Sequence, residues 1–248
     1  MNKFIIVVCL ALVLASCSKN SGSSGNSDTN PLNDLAVGAS AHDLLSATTY
    51  TSINIQIEYS PNMQLAQTSI NNLVAFLQTY LNKPGGITVT QTPVGSLNKS
   101  QVSLNDALLF EQANRTVYTS GNAIGIYILA ADADYTTVGV GGIAYLNTSV
   151  ILLEKTIQST SGGIGQASRV KVESGVLEHE FGHLLGLVNN GTPMVVPHED
   201  EAHKPHCNNS SCLMYYEIET SGLHTLSDNN VPQLDANCIN DLKANGGK

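Results

Sequence analysis

The stretch Val176 to Leu187 reads V-L-E-H-E-F-G-H-L-L-G-L and constrains the chain more than any other. Its histidines, His179 and His183, stand four residues apart. On a helix that spacing stacks them one turn above each other on one face, where two imidazoles can grip one ion. Zn²⁺ takes imidazole nitrogen at roughly 2.0–2.1 Å, and a catalytic site uses three protein ligands with the fourth position left to water. Glu180 is placed beside the first histidine to take a proton from such a water. Val172, Val176, Leu177, Phe181, Leu184 and Leu185 supply apolar positions at helical spacing, and Gly186 sits where a helix can stop. The bland alternative is a buried helix with two hydrogen-bonded histidines. It leaves Glu180 and Gly186 without a reason.

The rest of the composition suits one sizeable core. The 248 residues are 42% hydrophobic and only 12% charged. A net charge of −9 and a pI near 5.1 argue against nucleic acid, which would want a basic face. The richness in Asn, Ser and Thr keeps a surface adhesion or glycan-binding module open, although no tryptophan and 5% aromatic content supply no platform for it. A monomer is expected.

The N-terminus reads as a targeting segment. Lys3 precedes an apolar run from Phe4 to Leu14, which is too short to span a bilayer and the right size for a signal-peptide core. It ends L-A-S-C, which resembles the lipobox of bacterial lipoproteins, with Cys17 as the lipid-modified residue; a plain secretory signal is the alternative. Ser18 onward is Ser, Gly and Asn with few apolar groups, a flexible tether by composition. The division expected is residues 1–17 as signal, 18–40 as tether and 41–248 as the catalytic domain, with an N-terminal lobe over about 50–187 and a subdomain over about 188–248. Such a chain would be exported and lipid-anchored to a bacterial membrane, in the periplasm or on the cell surface. Of the cysteines in the folded part, Cys207 and Cys212 could close a small disulfide loop, or Cys238 could pair with one of them.

Alternation of Ile53, Ile55 and Ile57 with Asn54, Gln56 and Glu58 predicts a half-buried strand. Ser60-Pro61 reads as the start of a helix with an apolar stripe of Ala66, Ile70, Leu73, Val74, Leu77 and Leu81, ended by Gly85-Gly86. Ile87 to Thr92 is a second strand, Ser103 to Asn114 a helix opened by a Ser103/Asp106 capping box, and Ile124 to Ala130 a central buried strand. Asp132 and Asp134 read as a solvated turn, with calcium as an alternative. Thr148 to Leu153 is the last strand, and a polar loop over Ser159 to Ser168 leads into the zinc helix. This order gives an α+β fold, a mixed twisted sheet packed on helices with the metal helix laid against it and a small irregular C-terminal subdomain.

A third zinc ligand is missing from its usual place. In H-E-x-x-H-x-x-G-x-x-H the glycine turns the chain so that a residue three further on completes the site; here that residue is Asn189, a poor zinc ligand. Downstream, Pro197 to Met214 holds His198, His203 and His206. Here the chain resembles the archaemetzincins, within the metzincin clan of zincins, whose pattern continues H-C-x-x-x-x-C-x-M: His206, Cys207, Cys212 and Met214 match every spacing. The step from Gly186 to His206 is 20 residues instead of 3, an insertion similar to that of the leishmanolysin-type metzincins. The resemblance implies His206 as third ligand, with His203, His198 and Asn189 as alternatives, and Met214 as the methionine of the Met-turn beneath the metal.

Tyr216 matches the Met-x-Tyr of astacin-like and serralysin-like relatives, where the tyrosine ligates zinc or steadies the oxyanion. Archaemetzincins also hold a structural zinc with a further cysteine pair; this chain offers only Cys238, so a four-cysteine site cannot form. For His198, Glu199, Asp200, Glu201 and His203 two readings stand, a second ion or a solvated acidic loop. The resemblance implies a zinc-dependent endopeptidase acting on protein or peptide substrates, with Glu180 as general base and the substrate laid along an edge strand near Gly141 to Leu146. A zinc-binding lipoprotein without hydrolytic activity is the alternative.

Overall fold

A computed structural model describes residues 31–219 and 230–248. The signal segment, Cys17 and the tether up to residue 30 lie outside the described residues. Five strands form the main sheet: β1 (Ser52–Tyr59), β2 (Gly86–Pro93), β4 (Ala123–Ala130), β6 (Gly142–Leu146) and β7 (Ser149–Leu152), in the order β2-β1-β4-β7-β6. The first four of that order run parallel, and β6 pairs antiparallel with β7 at the edge. A separate pair of two-residue strands, β3 (Gln101–Val102) and β5 (Asp134–Tyr135), lies beyond their ends. The helices are α1 (Ala41–Leu45), α2 (Gln67–Tyr80), α3 (Leu104–Asn114), α4 (Glu154–Ser159), α5 (Arg169–Leu184) and α6 (Ala236–Ala244).

Alternation along the strands sorts side chains onto two faces, and both are covered. Ile53, Ile55, Ile57, Ile124, Ile126, Ile128, Val150 and Leu152 share one core with α2 and α5. Tyr127, Leu129, Ile151 and Leu153 point the other way and pack with Val102 and Ala107. The central strand β4 therefore reads as an unbroken apolar run, as parallel sheets covered on both sides require. β7, last in sequence, is interior in space.

Three expectations are corrected. β1 is not half-buried: Gln56 and Glu58 lie under α3 and are almost fully covered. Gln56 Oε1 accepts the amides of Thr116 and Val117, and Glu58 accepts the Tyr127 hydroxyl at 2.7 Å, so hydrogen bonds offset the desolvation. α2 begins at Gln67 and not at Pro61, because the Ser60 amide still donates to Ala130 of the sheet and Pro61-Asn62 form a turn, with Asn62 at φ 67°. The Ala66 amide at the helix entrance is satisfied by Glu173 of α5, a contact invisible in local sequence.

The third correction concerns the domain boundary. Residues 31–40, assigned to the tether, pack on the domain: Asn33 donates to Thr119 Oγ1, Gly125 O and Thr148 Oγ1 and accepts the Thr119 amide. The turn residues Asp132 and Asp134 have structural partners, the Leu97 amide for the first and Lys155 and Thr156 for the second.

Candidate metal centre

α5 carries the site because it is buried along nearly its whole length, from Lys171 to Leu184. Ser168 caps its start, accepting the Lys171 amide. It stops where the glycine demands. Gly186 has φ 71°, and a Cβ there would lie 2.6 Å from the Thr192 amide nitrogen, so neither the conformation nor the space admits a side chain. Val188 and Asn189 continue in left-handed conformations at 56° and 61°, which turn the chain outward. Asn189 is exposed.

The chain returns through residues 198–207 to present His206. A short ladder holds this return: the Asp200 amide donates to His206 O, Asn208 to His198 O, and Cys207 to Met214 O. The rings of His179 and His183 lie 4.8 Å apart by centroid, and those of His206 lie 5.3 Å and 5.0 Å from them. One ring nitrogen from each, and a carboxylate oxygen of Glu219, all lie within 4.8 Å of one another. His203 and His198 face elsewhere: His203 bonds Asp200 and stacks on Tyr216, and His198 bonds Asp241.

The donor set fits a zinc ion. His179 Nδ1 meets Leu213 O at 2.7 Å and His206 Nδ1 meets His203 O at 2.7 Å, so each ring donates from Nδ1 and leaves Nε2 unprotonated, with His179 Nε2 3.1 Å from His183 Nε2. His206 Nε2 is buried and has no hydrogen-bond partner, an orphaned donor atom of the kind that a metal ion satisfies. Burial holds His179 down to about 4 and His183 well below the usual histidine range, keeping both rings neutral as metal ligation needs.

Glu180 lies on the same buried turn. Its Oε2 accepts the Ala144 amide of β6 at 2.7 Å, and its Oε1 is buried with no partner. Burial raises its carboxyl well above the normal range, and the nearby Glu219 charge raises it further. Gly142 makes this approach possible, since a Cβ there would lie 3.0 Å from Glu180 Oε1.

Met214 is fully buried in the tight turn Cys212 to Tyr215, closed by the Tyr215 amide on Cys212 O. It presses on α5 between the histidines: a Cβ at Gly182 would lie 2.2 Å from Met214 Sδ.

No family model and no curated protein matches the chain. Among solved structures, archaemetzincin from Methanopyrus kandleri superposes with a TM-score of 0.53 at 14% identity, over 80% of this chain and 96% of that one. The fold is archaemetzincin-like. Metalloproteinase-II from Bacteroides fragilis matches with a TM-score of 0.41 at 17% identity, over 88% of this chain and 58% of that protein.

Within this archaemetzincin-like fold, several predicted residues take other partners. The Tyr216 hydroxyl donates to Glu217 Oε1 and its ring stacks on His203 at 3.7 Å, so its contacts are with the shell behind His206. The acidic loop does not converge: Glu199 and Glu201 pair with Lys204, and Asp200 with His203. Cys207, Cys212 and Cys238 are free buried thiols and not a disulfide loop; Cys212 Sγ and Cys238 Sγ lie 3.6 Å apart. The α6 register turns Cys238 into the cysteine pair, which spacing could not show. His198, Cys207, Asp235 and Cys238 place ligand-type atoms within 4.8 Å of one another, a second group with metal-binding donors.

Sequence reasoning missed Glu219 and the carbonyls of Leu213 and His203. Glu219 stands five residues after Met214, an acid with no basic residue between them, and that was its only local signal.

Proposed function

We propose that the chain is a zinc metalloendopeptidase whose metal is held by His179, His183 and His206. The observation that carries this reading is the convergence of three buried ring nitrogens, one without a hydrogen-bond partner, beside a buried carboxylate with one free oxygen. A Zn²⁺ held there would act as a Lewis acid toward a water and toward the scissile carbonyl.

Everything else falls to the chain. Glu180 is the base: the Ala144 amide fixes Oε2, which leaves Oε1 to take a proton from the attacking water. As the water oxygen bonds to the carbonyl carbon, one water proton passes by way of Glu180 to the amide nitrogen, and the C–N bond breaks to give an amine and a carboxylic acid, which releases the second water proton to solvent. Oε1, buried and without a hydrogen-bond partner, holds that proton between the two steps. An extended peptide laid along the outer side of β6 would bond mainly through its backbone, a mode that gives affinity with little side-chain selectivity. The contacts of Tyr216 support a role in positioning His206 through His203, more than direct stabilisation of an oxyanion.

Export with a lipid on Cys17 is part of the proposal and is supported by L-A-S-C and the apolar run before it. Among the described residues no helix is long and apolar enough to cross a membrane. A second reading, a zinc-binding surface protein without hydrolysis, is favoured by one observation, the Glu219 carboxylate beside the histidines.

Glu180→Gln tests the catalytic assignment. Cleavage of an unfolded protein substrate should fall by about 10²–10⁴-fold, as loss of a general base predicts, while bound zinc stays equal to the parent's. Undiminished cleavage would remove Glu180 from the mechanism.

A further inference from the structure

Glu219 is the one member of the histidine group with no counterpart in the three-ligand scheme. Its Oε2 lies 3.8 Å from His179 Nε2 and 3.6 Å from His206 Nε2. No lysine or arginine pairs with it among the described residues, so its carboxylate faces the imidazoles of His179 and His206. Three imidazole nitrogens and one carboxylate are a donor set that a divalent cation completes.

The backbone of the same residue is also engaged. Glu219 O accepts the Gly141 amide at 2.7 Å, just ahead of edge strand β6. A Cβ at Gly141 would lie 3.6 Å from that oxygen and 3.1 Å from Val176 Cγ2, so the segment sits close against the rim. Ile218, buried next to it, and the turn bond from the Ile218 amide to Tyr215 O fix the approach. Glu219 thus takes two places an extended substrate would need, a metal position with its side chain and a rim amide with its main chain. Its side chain is 28% exposed while the His179 side chain is wholly buried, so it is the member free to leave.

We propose that Glu219 is a fourth protein ligand that closes the metal in the resting molecule, and that substrate binds by displacing both its carboxylate and its backbone carbonyl. This rests on the three-histidine metal centre proposed above and adds to it an internal competitor. It joins the two functional readings: the centre is closed at rest and becomes reactive only where a peptide outcompetes Glu219.

The test uses the full chain loaded with cobalt(II), with acetohydroxamate as the probe and the visible absorption spectrum as readout. Glu219→Ala and Glu219→Gln are compared with the parent. The parent should bind acetohydroxamate at least about tenfold more weakly than Glu219→Ala, as expected when the open form is a tenth or less of the population. The cobalt spectrum of Glu219→Ala should differ from the parent's before any probe is added. Glu219→Gln keeps size and hydrogen bonding, so it should fold where Ala fails and should also bind the probe more tightly than the parent. Equal probe affinity and identical spectra in parent and variants would overturn the proposal while leaving the histidine centre standing. A parent that takes up no cobalt, or a His183→Ala variant with an unchanged cobalt spectrum, would overturn the centre itself and the proposal with it.

Discussion

Gly182, between the two histidine turns, shows how single residues set this site. Nothing in H-E-F-G-H marks it, yet a methyl group there would occupy the place of Met214 Sδ. Gly182→Ala should therefore push the Met-turn away from α5. Overpacking a filled core costs about 1–3 kcal/mol, and a lower thermal midpoint together with weaker zinc retention would check it. A variant as stable and as zinc-loaded as the parent would mean that Met214 moves aside freely. Among the site residues, His179, Glu180 and His183 were legible because one helix carries them and covalent spacing fixes their face. Glu219 was not, because only the tertiary turn after Met214 brings it to the histidines.

At the scale of elements, the sequence predicted where strands and helices lie better than where they begin. The capping box at Ser103 and Asp106 is self-contained, and α3 starts there as predicted. α2 starts late because a carboxylate from another helix, Glu173, meets the Ala66 amide. That same residue belongs to a buried group in which Glu154 of α4 and Glu173 of α5 share Arg169. Burial, and then the Glu173 charge, push the Glu154 carboxyl up from 4.5 to about 8. An acid whose folded pKa lies above its unfolded value binds its proton more tightly when folded. Its stabilising contribution is therefore present at low pH and is lost as pH rises between 4.5 and about 8. In metal-free protein the thermal midpoint of the parent should fall relative to that of Glu154→Gln across this window. A parallel course for the two proteins would show that the α4–α5 contact does not titrate there.

For the whole molecule, the sheet order β2-β1-β4-β7-β6 makes the site possible. It puts the antiparallel strand β6 at the edge, where Ala144 reaches Glu180 and Gly141 reaches Glu219. This order is not legible in local pattern, because strand neighbours are fixed by crossovers packing on both faces. The buried Gln56 and Glu58 belong to the same lesson: polar residues that alternate with isoleucine look solvent-facing until a second layer, α3, is known to cover them. What did carry across the chain was the H-C-x4-C-x-M spacing, since His206 and Met214 are tied to one turn by the Cys207 amide on Met214 O.

His206 is the proposed ligand at the end of the 20-residue step from Gly186. The most direct measurement is zinc retention and cleavage of an unfolded protein by the parent, His206→Ala and Asn189→Ala, compared under one chelator concentration. His206→Ala should lose zinc from the histidine centre and at least about 100-fold in cleavage, as removal of a ligand that the metal chemistry requires predicts, while Asn189→Ala should match the parent. Cleavage retained in His206→Ala, or lost in Asn189→Ala, would contradict the centre described here.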